Sequence, residues 1–98
     1  MKTDKELCFA LGLAQRAGKL ASGEQTVETY LKKGKGKYLL LAADASPRTS
    51  KRLEEVCRTT NVPLGRALSC VQIGDAIGKS PRAAVLLLDS QFMKLLGA

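Results

Sequence analysis

The sequence predicts an α/β protein, a single three-layer α/β/α sandwich built on a small mixed sheet and spanning residues 1–98. Three observations carry that prediction. Two apolar runs, Tyr38–Ala43 and Ala83–Leu88, proceed without alternation, as strands covered on both faces do. Segments with apolar residues at helical spacing alternate with those runs. Finally, 98 residues with 45% hydrophobic and 26% charged content can bury one core without disulfides or metal.

The elements follow in order. Thr3 and Glu6 make a capping box ahead of Leu7, Ala10, Leu11 and Ala14, which share one helical face. Gly18 ends that helix, leaving Arg16 and Lys19 near its C-terminal end. Leu20-Ala21 reads as a short extended link. The next stretch, Ser22 to Asp44, is the one around which the chain is organised. Ser22 is the expected N-cap of a second helix, with Gln25 as its capping partner and Val27, Tyr30 and Leu31 inward. Gly34 stops this helix, and Lys32, Lys33, Lys35 and Lys37 gather around the stop before the first buried strand.

Ser46 and Pro47 are a strong helix start, with Leu53, Val56 and Cys57 as the buried face. Arg48, Lys51, Arg52, Glu54, Glu55 and Arg58 read as a solvated mixed surface on that helix. Asn61 closes it, Val62-Pro63 forces an extended restart, and Leu64 to Leu68 is a short strand. Ser69 caps a brief helix with Ile73, Ala76 and Ile77 inward and Gly78 at its end. Lys79-Ser80-Pro81-Arg82 is a loop leading to the second buried strand. Asp89 or Ser90 then caps a last helix carrying Phe92, Leu95 and Leu96. The predicted order is α, α, β, α, β, α, β, α, without an internal repeat.

Charge and composition narrow the function. The net charge of +7 is spread over both halves, so it describes a surface rather than a tail. Such a surface in a small domain calls for an anionic partner, and nucleic acid is the commonest. With no histidine, the usual general base and most zinc sites are missing. Cys8, Cys57 and Cys70 are odd in number and lack metal-ligand spacing, so they read as free thiols of a cytoplasmic protein. The N-terminus has no signal-peptide pattern, and no apolar run reaches membrane-spanning length.

Gly74-Asp75-Ala76-Ile77-Gly78-Lys79-Ser80 superficially resembles a phosphate-binding P-loop. It has three residues between the glycines where that loop has four, and it runs helix–loop–strand instead of strand–loop–helix. Asp44 and Asp89 each precede a helix start and read as caps. Glu24 and Glu28 lie four apart without a metal-binding set around them. No enzyme activity, cofactor or metal is expected.

Among nucleic-acid modules, the stacking strand of an RRM is absent because Phe9, Tyr30, Tyr38 and Phe92 are scattered. There is no GXXG clamp, and two buried strands argue against a helix-turn-helix. What remains is a helix N-terminus at Gly23 flanked by the Lys79–Arg82 loop, a platform for structured RNA.

At this point the residues carry a resemblance. Gly23-x-x-x-Val27, Lys33-Gly34 and Leu39-Leu40-Leu41-Ala42-x-Asp44-x-x-Pro47 are followed by Cys57, Asn61-Val62-Pro63, Ser69, Ile73-Gly74, Gly78 and a strand ending at Asp89. In this order and spacing the chain resembles the kink-turn-binding ribosomal proteins of the L7Ae type, nearest to the small bacterial YlxQ-like branch. The resemblance implies an α/β/α sandwich that grips a kink-turn, an RNA loop bent sharply at tandem sheared G·A pairs. It also implies ribosomal RNA, and with it the ribosome, as the partner of a monomeric protein. The family pattern Gly-x-Asn-Glu-x-x-Lys falls here on Gly23, Glu24, Gln25, Thr26 and Thr29, with Gln25 at the Asn position, Thr26 at the Glu position and Thr29 at the Lys position. Gln25 and Thr26 retain hydrogen-bonding groups for base edges, whereas Thr29 lacks the cation. Lys19, Lys32 and Lys33 are expected to compensate through phosphates. The second RNA-contacting loop of the family falls on Lys79, Ser80, Pro81 and Arg82. A rival from another class is a protein-interaction module that docks an acidic partner through its lysines.

Overall fold

The computed structural model describes residues 3–96. In chain order these form α1 (Asp4–Arg16), β1 (Leu20–Ser22), α2 (Glu24–Lys32), β2 (Tyr38–Leu41), α3 (Pro47–Thr60), β3 (Leu64–Arg66), α4 (Cys70–Ile77) and β4 (Ala84–Leu87). Two 3₁₀ turns follow, Ser90–Phe92 and Lys94–Leu96.

The two apolar runs become the two central strands of a four-stranded sheet ordered β1-β4-β2-β3, and every residue of β2 and β4 is buried. β4 runs antiparallel to both its neighbours, while β2 and β3 are parallel. The sheet is therefore mixed. Helix α1 packs beside α4, and α2 packs beside α3, so the sheet lies between two helical layers. Leu86 lies close to Leu31 of α2 where both meet Gly36. Strand alternation then directs Leu39 and Leu41 to the α2–α3 side, and Tyr38, Leu40, Val85 and Leu87 to the α1–α4 side.

Most helix ends obey their local sequence. The Thr3–Glu6 capping box forms, Ser46 caps α3 with Pro47 in the first turn, and Asn61 closes α3 in the left-handed region at φ 60°. Ser69 and Gln72 form a second capping box on α4, and Gly78 ends that helix at φ 71°.

Four local expectations change. Leu20-Ala21 is no link: it is β1, with Ala21 opposite Leu86. Because this pairing draws Ser22 into the sheet opposite Val85, Ser22 does not cap α2, and its pairing with Gln25 does not form. Gly23 is the N-cap instead, and it offers no side-chain hydrogen bond. The third strand stops at Arg66 rather than Leu68, because Leu68 turns the chain with φ 66°. The last segment closes as 3₁₀ turns instead of an α-helix. Asp89 does cap it, accepting from the Gln91 amide at 2.9 Å, and Leu96 is buried as expected; the side chain of Leu95 lies outside the described residues.

Two close contacts fix the layers. A Cβ on Gly65 would collide with the hydroxyl of Tyr38, which lies over that position. On the other face, Glu28 of α2 accepts from Arg52 of α3 through Nε at 2.8 Å and Nη2 at 2.9 Å. Lys32 adds a third contact to the same carboxylate at 3.0 Å. The hydrogen bonds from Arg52 and then Lys32 hold the Glu28 carboxyl down at about 2.

Gly65→Ala is expected to cost about 1–3 kcal/mol through overpacking. Each kcal/mol lowers Tm by roughly 4–8 °C in a domain of this size. Tyr38→Phe in the same background should recover part of the loss, measured as a non-additive double-mutant cycle in thermal melts. For Glu28 the folded pKa lies below its ordinary value of 4.5, so its contribution is present above that pH and fades as pH falls toward about 2. Arg52→Met is expected to flatten this part of the acid limb, read as a smaller change in Tm between those two pH values than in the unaltered protein.

Candidate nucleic-acid interface

The strand directions decide where the candidate residues meet. β1, β2 and β3 run toward one edge of the sheet, and β4 starts from it. Backbone bonds tie this edge together: Gly23 N–H to Ala84 O at 3.2 Å, Ala42 N–H to Ala83 O at 2.8 Å, and Ala43 N–H to Leu68 O at 2.7 Å. Helices α2, α3 and α4 each begin directly after a strand that ends there, so their N-terminal amides and positive dipole ends gather on one side.

These helix starts are not equivalent. On α3, Ser46 Oγ accepts from the Thr49 amide at 3.2 Å. On α4, Ser69 Oγ accepts from Gln72 at 3.1 Å, and Asp44 Oδ1 accepts from the Cys70 amide at 2.8 Å. Asp44 thus caps a helix 26 positions onward, not the one that immediately follows it, and these bonds hold its carboxyl below the usual range. Helix α2 starts at Gly23 with φ 93°, a conformation that L side chains rarely adopt, and carries no side-chain cap. No side-chain cap accepts from its first-turn amides.

Around that start, Glu24, Gln25, Thr26 and Thr29 are all exposed. Gln25 and Thr26 lie on the first turn with their polar groups accessible. Thr29 donates its hydroxyl to the Gln25 carbonyl at 3.0 Å, leaving its oxygen free to accept. Glu24 accepts from Thr49 of α3 at 3.3 Å. A groove between α2 and α3 is lined by Glu24, Gln25, Glu28 and Thr29 on one wall and by Arg48, Thr49, Lys51, Arg52 and Glu55 on the other. Sequence reasoning took the charged residues of α3 for a solvated surface and missed that Arg48, Thr49 and Arg52 border the α2 start. Only the Glu28–Lys32 pair had a sequence signal, its i,i+4 spacing.

The second predicted segment reaches the same edge only at its Arg82 end, by an indirect route. After α4 the chain doubles back along that helix: Lys79 N–H bonds Gly74 O at 2.8 Å, and Arg82 N–H bonds Cys70 O at 3.1 Å. Gly74 is required there, since a Cβ would strike the Ser80 carbonyl. Lys79, Ser80 and Pro81 are exposed, whereas Arg82 is half-buried, with Nη1 donating to Ser80 Oγ at 2.6 Å. The amides of Gly78 and Lys79 close the C-terminal end of α4 through Asp75 O and Gly74 O, so they are not arranged as a phosphate cradle.

Lys19, Lys32 and Lys33 are not brought to this edge. Lys19 sits where β1 begins, its carbonyl accepting from Leu88 at 2.9 Å, and Lys32 and Lys33 lie at the far end of α2. The cysteines are free thiols; burial raises Cys57 to about 11 and also raises Cys8 and Cys70. Among the described residues no three His, Cys, Asp or Glu side chains group as a metal site.

The chain has relatives among known proteins. The chain is 38% identical over 82 residues to the RNA-binding protein YlxQ of Bacillus subtilis (strain 168), covering 84% of this chain and 82% of that protein. It is 36% identical over 84 residues to the RNA-binding protein YlxQ of Enterococcus faecium, covering 86% and 81%. A solved structure of a protein of unknown function from Bacillus halodurans superposes with TM-score 0.87 at 32% identity, over 97% of this chain and 95% of that one. The Giardia lamblia 15.5kD RNA binding protein shares the fold, with TM-score 0.81 at 20% identity over 95% and 83% of the two chains. The model of the ribosomal protein L7Ae/L30e/S12e/Gadd45 family matches residues 5–96, and the chain belongs to that family.

Proposed function

We propose that this protein is a non-catalytic, monomeric, cytoplasmic RNA-binding protein that recognises a kink-turn or similarly bent structured RNA, with ribosomal RNA as the target. One observation carries the proposal: the uncapped, glycine-started end of α2, with Gln25 and Thr26 exposed on its first turn, shares an edge with the 79–82 loop. The YlxQ relatives, which are RNA-binding proteins, support RNA as the partner.

In this mechanism a phosphate approaches the free amides of α2 at Gly23, where no side chain stands in the way. Gln25 and Thr26 hydrogen-bond the edges of the guanines exposed by the bend, and these contacts supply the selectivity. Pro81 and Arg82, nearest the start of α4, meet the RNA from the other side of the edge, Arg82 braced through Ser80, while Lys79 adds its charge from the far end of α4. Glu24 is held by Thr49, which keeps its carboxylate turned toward α3.

Gel shifts should show preference for a kink-turn over the same RNA with its G·A pairs changed to Watson–Crick pairs; equal affinity for both sinks the proposal. Gln25→Ala is expected to weaken kink-turn binding by about 1–3 kcal/mol and to relax that preference. With about four phosphates neutralised, log affinity should fall against log salt with a slope of roughly −3 to −4. Thr29→Lys, which restores the cation of the family pattern, is expected to tighten binding and steepen that slope by about 1.

A further inference from the structure

The net charge is not concentrated at the α2 start. At the opposite end of the sheet, Lys19, Lys33, Lys35 and Lys37 are all exposed, with Arg16 and Lys32 beside them. Backbone bonds join this cluster: Leu88 N–H to Lys19 O at 2.9 Å, Lys37 N–H to Leu87 O at 2.8 Å, and Lys35 N–H to Tyr30 O at 3.0 Å. Lys19 and Lys37 therefore flank the same end of β4.

Helix-dipole complementarity explains Arg16 and Lys32, which lie in the last turns of α1 and α2. It does not explain Lys35 and Lys37, which follow the helix stop at Gly34, φ 73°. Gly36 between them is pressed onto the core. A Cβ there would come within 2.8 Å of Leu86 and 3.0 Å of Leu31. The glycine lays the backbone flat on apolar side chains and leaves the lysines on either side of it directed to solvent. The two cations are thus mounted on a fixed support.

This end is separate from the α2 start. Nine helical residues, about 13 Å at 1.5 Å each, lie between them. On the α2–α3 side the intervening groove opposes Glu24, Glu28 and Glu55 to Arg48, Lys51 and Arg52, so no continuous positive track joins the two ends.

We propose that the lysine end is a second nucleic-acid site, which takes the phosphate backbone of a separate RNA segment, so that one copy of the protein joins two RNA segments. The proposal rests on the function above for the first RNA only. Contact at this end reads charge and not sequence, because the cluster is made of lysine ammonium groups with the Arg16 guanidinium beside them.

The test uses the full chain, a kink-turn hairpin with one dye and a plain RNA duplex with another, on native gels. With one equivalent of kink-turn bound per protein and no free excess to compete for the lysine end, the unaltered protein is expected to draw the duplex into a three-component complex. Lys35→Gln with Lys37→Gln should lower duplex affinity about tenfold and reduce its log–log salt slope by about 2, at 0.9 per lost contact. Kink-turn affinity should stay within about twofold, and circular dichroism should show the fold intact. Displacement of the duplex by the kink-turn, or equal weakening of both RNAs by the double variant, overturns the proposal. So does capture of a polyglutamate peptide in place of the duplex, which would assign this end to an acidic protein. Loss of discrimination between the kink-turn and its Watson–Crick control defeats only the first function. The second site still reads out then, as two duplexes bound per protein falling to one in the double variant.

Discussion

The insertion of β4, antiparallel, between β1 and β2 is the constraint from which the rest of this structure follows. With β4 in that slot, the chain leaving α4 at one end must return to the other before it can enter the sheet. It does so in contact with α4, over the bare backbone of Gly74, and arrives beside Cys70. A loop distant in sequence from α2 is thereby delivered to the edge where α2 begins. β4 also explains β1: three residues that would be a link on their own become a strand because β4 offers an open edge to pair with.

The pairing of β1 has a chemical consequence as well. Once Ser22 belongs to the sheet, its hydroxyl no longer serves the helix, and the N-cap passes to a residue with no side chain. Elsewhere the protein satisfies its helix starts with its own oxygens, from Thr3, Ser46 and Ser69 and from Asp44 across 26 positions. The end of α2 is therefore the place where a foreign acceptor meets least internal competition.

Charge is arranged on a different logic. Glu28 binds Arg52 and Lys32 together, which joins α2 to α3 and neutralises the groove between them. Lys33, Lys35 and Lys37, which join no such pair, stand away from the α2 start around the turn through Gly34 and Gly36, while Arg48 and Lys51 stay in the groove. The two ends thus differ in chemical character. One carries uncapped helix amides with Gln25 and Thr26; the other carries lysines with Arg16 beside them.

Local signals in the sequence were sufficient for much of this. The capping boxes, the stops at Asn61 and Gly78, and the burial of β2 and β4 depend on residues within a turn or a run of one another, so pattern alone determined them. The family motif likewise located Gly23, Gln25 and Thr26 at a helix start. Tertiary structure decided whatever depends on partners far apart in the chain. The conversion of Leu20–Ser22 into a strand, the reach of Asp44 to α4, the Glu28–Arg52 bond and the collapse of the last helix into 3₁₀ turns all belong here. So does the placing of Lys19 beside Lys37 at one end of β4. Periodicity reports which face of an element is buried; only strand order and direction report which ends of different elements stand together.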